Sequence, residues 1–221
     1  MSKRIQKRDA EASKQLIIEH AKLLFSKNGF SSASMDELAQ MCGLNKAMVF
    51  YYFKNKKGLY EAVMHEVLIE IHHIIETENK IHHSPVAELE GFIRTYADFA
   101  YTHPYLPSLL LKELSDSGAL IPEILFSSMR KLFALFCDIL KRGKDEEYFS
   151  DTQPMILYFM IIGTLNLMIT THSLRTQASM MDDIDIDTCA DCEIVDIADY
   201  IVEKVFVMLN DQINRKVNYE I

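Results

Sequence analysis

The sequence predicts an all-α protein with about nine helices, in which a small N-terminal domain of three helices precedes a larger helical body. Its 221 residues include only seven Gly and five Pro, too few turn-forming residues for a strand-rich fold. Apolar residues recur at steps of three and four along most of the chain, and no alternating apolar–polar run is long enough for a sheet. Residues 34–53 also read as two short helices joined by a tight turn.

Longer helices are predicted on both sides of this pair, each from apolar residues at helical spacing. They cover residues 10–28, 56–78, 85–102, 106–114, 122–141, 154–174 and 193–213. Ser84 and Pro85 are typical of an N-cap and a first helical position, and Gly29 is typical of a helix end. Residues 176–192 contain five Asp and are predicted to form a loop.

The two short helices have distinct start and stop signals. Ser34 and Asn45 are good N-caps for the first and the second helix, and Asp36 and Glu37 suit the positive end of the first helix dipole. Gly43 can adopt the left-handed backbone conformation that ends a helix. Such a pair forms a helix-turn-helix, whose second helix can enter the major groove of DNA. Duplex DNA is therefore the predicted partner.

The distribution of charge also favours a polyanionic partner at the N-terminal end. Residues 1–60 contain eleven Lys and Arg against five Asp and Glu, a net charge of +6, within a chain of net charge −9. The remainder therefore carries −15. An acidic body repels DNA, so we expect contact to be confined to the basic N-terminal helices. We predict a helix-turn-helix DNA-binding domain over residues 1–55 and a helical effector-binding and dimerisation domain over residues 56–221.

Three motifs in the basic region point to a known family. They are F-x-x-x-G-F at residues 25–30, A-x-x-x-G-L at residues 39–44 and Y-Y-F-K-N-K-x-x-L at residues 51–59. With these motifs, residues 10–60 resemble the N-terminal domain of the TetR/AcrR family of transcriptional regulators. The resemblance implies a homodimeric repressor that binds a pseudo-palindromic operator and is released from it by a small hydrophobic effector.

The resemblance also implies which side chains contact DNA. These are Ser34, Asn45, Lys46, Ala47, Met48, Tyr51 and Lys56. Among them Ser34, Tyr51 and Lys56 would bind phosphates, Lys46 would reach the groove or the backbone, and the other three would face base edges. Helical pitch places Tyr52 and Phe53 towards the core and Tyr51 on the opposite side.

Two departures from the family pattern concern contacts with DNA. Phe50 stands where the family often has Tyr, so one hydroxyl that could bind a phosphate is absent. Ala47 and Met48 replace a frequent Gly-Thr pair, which removes a polar group and adds a flexible apolar side chain that can contact a thymine methyl.

The family's second domain usually holds an apolar pocket for a small molecule, and this chain has large, adaptable side chains for one. The predicted ligand-binding residues are Phe92, Tyr96, Phe99, Phe126, Met129, Phe133 and Tyr158. Each of them could equally be a packed core residue. A homodimer surface is predicted on the helix at residues 154–174 and on the final helix, where Gly163 permits close approach. The first of these helices is apolar on all sides, which is typical of a deep core or a subunit interface.

Cys189 and Cys192 raise an alternative function, because two cysteines at this spacing can form a redox pair or half of a thiolate metal site. A redox- or metal-responsive regulator on the same DNA-binding frame is therefore a second hypothesis. The chain has no second C-x-x-C to complete a four-sulfur site, so no metal ligands are predicted. A third hypothesis is a helical interaction scaffold that does not bind DNA.

Enzyme signatures are absent from the sequence. It contains no Gly-rich phosphate loop, no G-x-S-x-G and no H-E-x-x-H, so neither an enzyme nor a cofactor is predicted. The N-terminal residues are too polar for a secretory signal. The most apolar stretch, residues 155–169, is too short for a membrane helix. We therefore expect a cytoplasmic protein that makes no membrane contact.

Overall fold

The computed structural model of the chain describes residues 2–79, 84–115, 123–181 and 187–219. These residues form ten helices and no strand, which confirms the predicted all-α fold. The helices are α1 (Ser2–Ser32), α2 (Met35–Met41), α3 (Lys46–Phe53), α4 (Lys56–Asn79), α5 (Pro85–Thr102), α6 (Tyr105–Ser115), α7 (Glu123–Asp145), α8 (Pro154–Thr170), α9 (His172–Ser179) and α10 (Ile194–Tyr219).

Several helix ends differ from the sequence-based expectation: α1 begins at Ser2 rather than residue 10, and α7 and α10 end at Asp145 and Tyr219 rather than at residues 141 and 213. Helix α1 continues to Ser32, but Gly29 interrupts it with a left-handed φ of 74°, at the position where the helix was predicted to end. Helix α8 ends at Thr170, and α9 follows it at a bend of 63°. The prediction of one helix over residues 154–174 and a loop from residue 176 was therefore wrong around this bend. Helix α9 has no buried residue, so it carries no apolar period that sequence reading could detect.

The chain divides into two compact units. The first unit comprises Met1–Ile69 and Ser108–Ser128, and the second unit comprises Glu70–Pro107 and Met129–Ile221. Helix α4 contributes residues to both units. The functional division after residue 55 stays a prediction.

Aromatic packing organises the core of the first unit. The ring of Tyr60 meets Phe25 at a centroid distance of 5.0 Å and Phe30 at 5.2 Å, both edge-on. Leu38 of α2 and Val49 of α3 are fully or almost fully buried. The helix-turn-helix is therefore attached to the unit by apolar contacts from each of its two short helices.

Helix α5 is the centre of the second unit and packs against both α8 and α10. The buried Tyr96 of α5 donates a hydrogen bond of 2.9 Å from its hydroxyl to Oδ1 of the buried Asn166 of α8. Arg142 of α7 forms a two-pronged ion pair with the buried carboxylate of Glu88 on α5. This ion pair raises the pKa of the Arg142 guanidinium. Each buried polar group named here thus has a partner.

None of the described helices alone has both the length and the apolar character needed to cross a membrane, and α8 and α9 meet those criteria only as a bent pair.

The Tyr96–Asn166 hydrogen bond yields a stability prediction. Tyr96→Phe leaves the buried Asn166 oxygen without its donor, so we expect the free energy of unfolding to fall by about 1–3 kcal/mol. Tyr158→Phe is the matched control, because the Tyr158 hydroxyl makes no hydrogen bond to any described residue, and its change should stay within about 0.5 kcal/mol. Urea unfolding at one fixed protein concentration measures both. Equal losses of unfolding free energy in the two variants would contradict a stabilising role of the Tyr96–Asn166 hydrogen bond.

Candidate nucleic-acid interface

Ser34 holds the start of α2. Its hydroxyl accepts hydrogen bonds from the backbone N–H groups of Asp36 and Glu37, at 3.3 and 3.4 Å, and the side chain is exposed. After α2, Gly43 has a φ of 65°, which lets the Leu44 N–H reach back to the carbonyl oxygen of Ala39 at 2.9 Å. The predicted N-cap and the predicted turn are both present.

Asn45 holds the start of α3 in the same way, since its Oδ1 accepts the Met48 N–H at 2.8 Å. Val49 and Phe53 fix the inner face of this helix and are at most 5% exposed. The outer face consists of the exposed Asn45, Lys46, Ala47 and Tyr51, with Met48 partly exposed beside them. The structure therefore places the residues predicted to contact DNA from this helix on its free side.

Tyr51 is the most exposed large side chain of this face. It is 82% exposed, whereas Tyr52 is half-buried and Phe53 is buried. The Tyr51 ring meets the Tyr52 ring edge-on, at a centroid distance of 5.3 Å. A tyrosine ring left this accessible can present its hydroxyl to a partner.

Lys46 is oriented by neighbours on both sides. Its Nζ lies 2.8 Å from Oδ2 of Asp36 and 6.0 Å from the centroid of the Phe50 ring. Both charged side chains are solvent-exposed, so this ion pair is weak and a phosphate can compete for the ammonium. The sequence signals did not predict the Asp36 contact.

Lys56 is positioned at the start of α4. Its Nζ donates to the carbonyl oxygen of Ser31 at 2.9 Å and lies 5.0 Å above the Phe30 ring. Partial burial lowers the pKa of the Lys56 ammonium. Asn55 caps the helix by accepting the Gly58 N–H at 2.8 Å, and a Cβ on Gly58 would lie 2.4 Å from the Phe53 carbonyl oxygen. A residue larger than glycine would therefore disturb the link that sets Lys56 in place.

Sequence reading missed two lysines that support this interface. Lys112 donates to the carbonyl oxygens of Ser26 and Lys27, next to the interruption of α1 at Gly29, and desolvation lowers its pKa. The side chain of Lys22 is 5% exposed and lies 2.9 Å from a carboxylate oxygen of Glu19 and of Glu66. Lys112 binds backbone atoms distant in sequence, and Lys22 joins the nearby Glu19 to the distant Glu66, so neither set of contacts follows from a motif.

The predicted ligand-binding residues lie mostly in packed surroundings. Phe92, Tyr96 and Phe99 are buried, and Phe133 and Tyr158 are half-buried with their rings 5.3 Å apart. Met129 is also half-buried. Phe126 lies on α7, and its side chain is outside the described residues. Their role in ligand binding stays a prediction.

A cleft of about 320 Å³ lies elsewhere in the second unit, near the bend between α8 and α9. The apolar part of its wall comes from Tyr101, Pro104, Met168, Ile169, Ile194 and Ile197. His172, Arg175 and Cys192 complete it. None of the residues predicted to bind a ligand lines this cleft.

Cys189 and Cys192 form a disulfide, so both sulfurs of the C-x-x-C motif are engaged with each other. The described residues contain no group of three or more His, Cys, Asp or Glu placed to hold a metal ion. Cys189 has a left-handed φ of 50°, and its carbonyl oxygen accepts a hydrogen bond from Arg175. The disulfide turn is thus tied to helix α9.

Comparison with known proteins agrees with this geometry. Residues 17–63 match the family model described as bacterial regulatory proteins, tetR family. The probable HTH-type transcriptional regulator YttP of Bacillus subtilis is 29% identical over 160 residues, which cover 71% of this chain and 76% of that protein.

Two solved structures share the fold. The transcriptional regulator FadR from Bacillus subtilis in complex with stearoyl-CoA has a TM-score of 0.69 at 18% identity, covering 88% of this chain and 98% of that one. AibR in complex with isovaleryl coenzyme A and operator DNA has a TM-score of 0.65 at 16% identity, covering 89% and 97%.

The placement of Lys56 yields a prediction about salt dependence. Lys56→Gln should weaken binding to all duplex sequences alike and reduce the slope of log K against log salt by about one unit, because one phosphate contact is lost. Lys204→Gln, on α10, removes the same charge from the acidic body and is the control. Fluorescence anisotropy of labelled duplexes across a salt series measures both slopes. An unchanged salt slope for Lys56→Gln would contradict a contact between Lys56 and a DNA phosphate.

Proposed function

We propose that this chain is a member of the tetR family of bacterial regulatory proteins and a DNA-binding transcriptional regulator. It acts as a homodimeric repressor that a small apolar molecule releases from its operator. The observation that carries the proposal is the outer face of α3. It presents Lys46, the first residue of the helix, and Tyr51, five positions later, on a helix whose inner face is buried. Such a helix can be inserted into a major groove without disturbing the core.

The roles of individual side chains follow from their placement on this face. Ser34, Tyr51 and Lys56 supply hydroxyl and ammonium groups for phosphates, which fix the orientation of the protein on the duplex. Ala47 and Met48 present apolar groups to base edges, where a thymine methyl is the natural contact. Asn45 uses its Oδ1 as the helix cap, so its amide NH₂ is the group left to donate.

The proposed dimer surface lies on α8 and α10. Nine apolar side chains on these helices are each 46 to 63% exposed: Met155, Ile156, Phe159, Met160, Leu167, Val195, Tyr200, Val207 and Met208. A Cβ added at Gly163 would meet nothing within 4 Å, so the α8 backbone is open to close approach there. Apolar exposure on this scale is typical of an interface. A two-fold dimer also supplies two α3 helices for half-sites one helical turn apart, about 34–36 Å.

Effector and operator would be coupled through the linking helix. Helix α4 carries Lys56 at its first position and extends into the second unit. An effector that favours one arrangement of the second unit would therefore change the position of the DNA-binding residues and lower operator affinity. By linkage, the operator must lower effector affinity by the same factor. Relatives of known structure that bind acyl-coenzyme A thioesters make an amphiphilic effector the first class to test.

Selection from random DNA tests the proposal directly. The purified protein is mixed with a pool of random duplexes at several salt concentrations, and the bound fraction is sequenced. We expect an enriched palindrome with two half-sites about one helical turn apart. The matched control is Tyr51→Phe/Lys46→Gln, which removes two outer-face groups and should abolish enrichment while the protein stays folded. Weak binding without enrichment by the unaltered protein would contradict the operator proposal.

The dimer surface is tested by one charge placed within it. Phe159→Glu puts a carboxylate among the exposed apolar side chains of α8, and we expect at least a hundredfold loss of dimer affinity, since a buried unpaired charge costs several kcal/mol. Leu23→Glu changes an equally exposed apolar residue of α1 and should leave association unchanged. Sedimentation velocity over a concentration series measures both. A Phe159→Glu protein that sediments as the unaltered dimer would exclude this surface.

A further inference from the structure

We propose that the cleft beside the α8–α9 bend binds a small organic carboxylate with an apolar portion. That this acid is also the effector rests on the proposed function, whereas binding to the cleft does not. The proposal rests on three features of the second unit: the size of the cleft, its apolar wall and the hydrogen bonding of Arg175.

The size and the wall define the bulk of the ligand. About 320 Å³ is at the lower end of the range for small-molecule pockets, roughly 300–1,000 Å³. This volume suits a short or singly aromatic acid rather than a coenzyme A thioester. Met168 and Ile169 at the end of α8 and Ile194 and Ile197 at the start of α10 line the cleft, and the exposed Tyr101 is part of the same wall. An apolar group is therefore favoured inside it.

Arg175 defines the charge of the ligand. One terminal nitrogen of its guanidinium donates to the Met168 carbonyl oxygen at 2.7 Å, and the other donates to that of Cys189. The Nε is buried and has no hydrogen-bond partner among the described residues. No carboxylate of the described residues pairs with this guanidinium. A fixed positive charge with a buried, unused donor calls for an acceptor that the protein itself does not provide.

His172 lies one helical turn before Arg175, and both line the cleft. The two carbonyl oxygens use two of the five guanidinium N–H groups, and the remaining guanidinium donors together with the imidazole can bind the two oxygens of a carboxylate. The disulfide turn supports this arrangement because the Cys189 carbonyl helps to hold the guanidinium in the wall.

Binding calorimetry on the full chain tests whether the cleft prefers a carboxylate, with two probes of similar shape that differ in charge. These are 4-phenylbutyrate and the neutral 4-phenylbutan-1-ol. We expect the acid to bind about tenfold or more tightly than the alcohol, since a hydrogen bond to a charged group is roughly twice as strong as a neutral one. Arg175→Gln should remove this difference while leaving the affinity for the alcohol nearly unchanged. Ile169→Trp fills the apolar half and should weaken both probes.

Two further variants separate binding from structural damage. Arg175→Lys keeps the charge and should retain part of the preference for the acid, even if the turn at Cys189 shifts. Arg94→Gln removes an arginine of the same unit that is paired with Glu90 and Asp199, and it should leave both affinities unchanged. Thermal unfolding by circular dichroism identifies any variant that has lost its fold.

The outcomes distinguish the site from its role. Three results would each contradict carboxylate binding in this cleft. They are equal affinity of the unaltered protein for acid and alcohol, an acid affinity that Arg175→Gln leaves unchanged in a folded protein, and no acid binding at millimolar concentration. Binding with the expected variant effects supports it. If the acid binds in this way but leaves the affinity for the selected operator unchanged, the cleft is a carboxylate-binding site and the acid is not the effector.

Discussion

The presentation of α3 depends on the burial of its inner face. A helix of eight residues is not stable alone in water, because nucleation costs more than so few hydrogen bonds return. Val49 and Phe53 supply the missing stabilisation by packing into the first unit, and Asn45 satisfies a backbone donor at the helix start. Fully burying side chains of this size contributes roughly 1.5–3 kcal/mol each. The exposed Tyr51 hydroxyl keeps a defined position only because these inner contacts hold the helix in one orientation.

Lysines have a structural role around the same elements. Lys112 and Lys56 donate to the carbonyl oxygens of Ser26, Lys27 and Ser31, which lie on the two sides of the interruption of α1 at Gly29. Desolvation lowers the pKa of both ammonium groups, yet hydrogen bonds from a charged donor are among the stronger ones in proteins. Of these two lysines, Lys56 belongs to the basic residues 1–60, and its ammonium already binds a backbone oxygen as well as any partner in solution.

Local signals could be read from the sequence, whereas contacts between distant residues could not. The caps at Ser34 and Asn45 and the turn at Gly43 depend on residues two to five positions away, so the sequence predicted them and the structure contains them. Helix α9 was missed because it buries nothing and therefore lacks an apolar period. Lys112 binds carbonyl oxygens 85 and 86 positions away, for which no residue pattern exists. The cleft is assembled from four separate helices, α5, α8, α9 and α10, and the disulfide turn, so neither its position nor the role of Arg175 follows from any single segment.

The acidic body does not prevent an anion from binding at Arg175. The charge of −15 is spread over the whole chain beyond residue 60, and at physiological ionic strength exposed charges more than about 8 Å away are largely screened. An apolar wall excludes water from one side of the cleft, so the guanidinium acts there at a lower effective dielectric constant than it would on an open surface. The local charge therefore decides which ligand the cleft accepts, while the net charge of the body decides where a long polyanion such as DNA can lie. The same chain can in this way repel duplex DNA from its body and still bind a small acid within it.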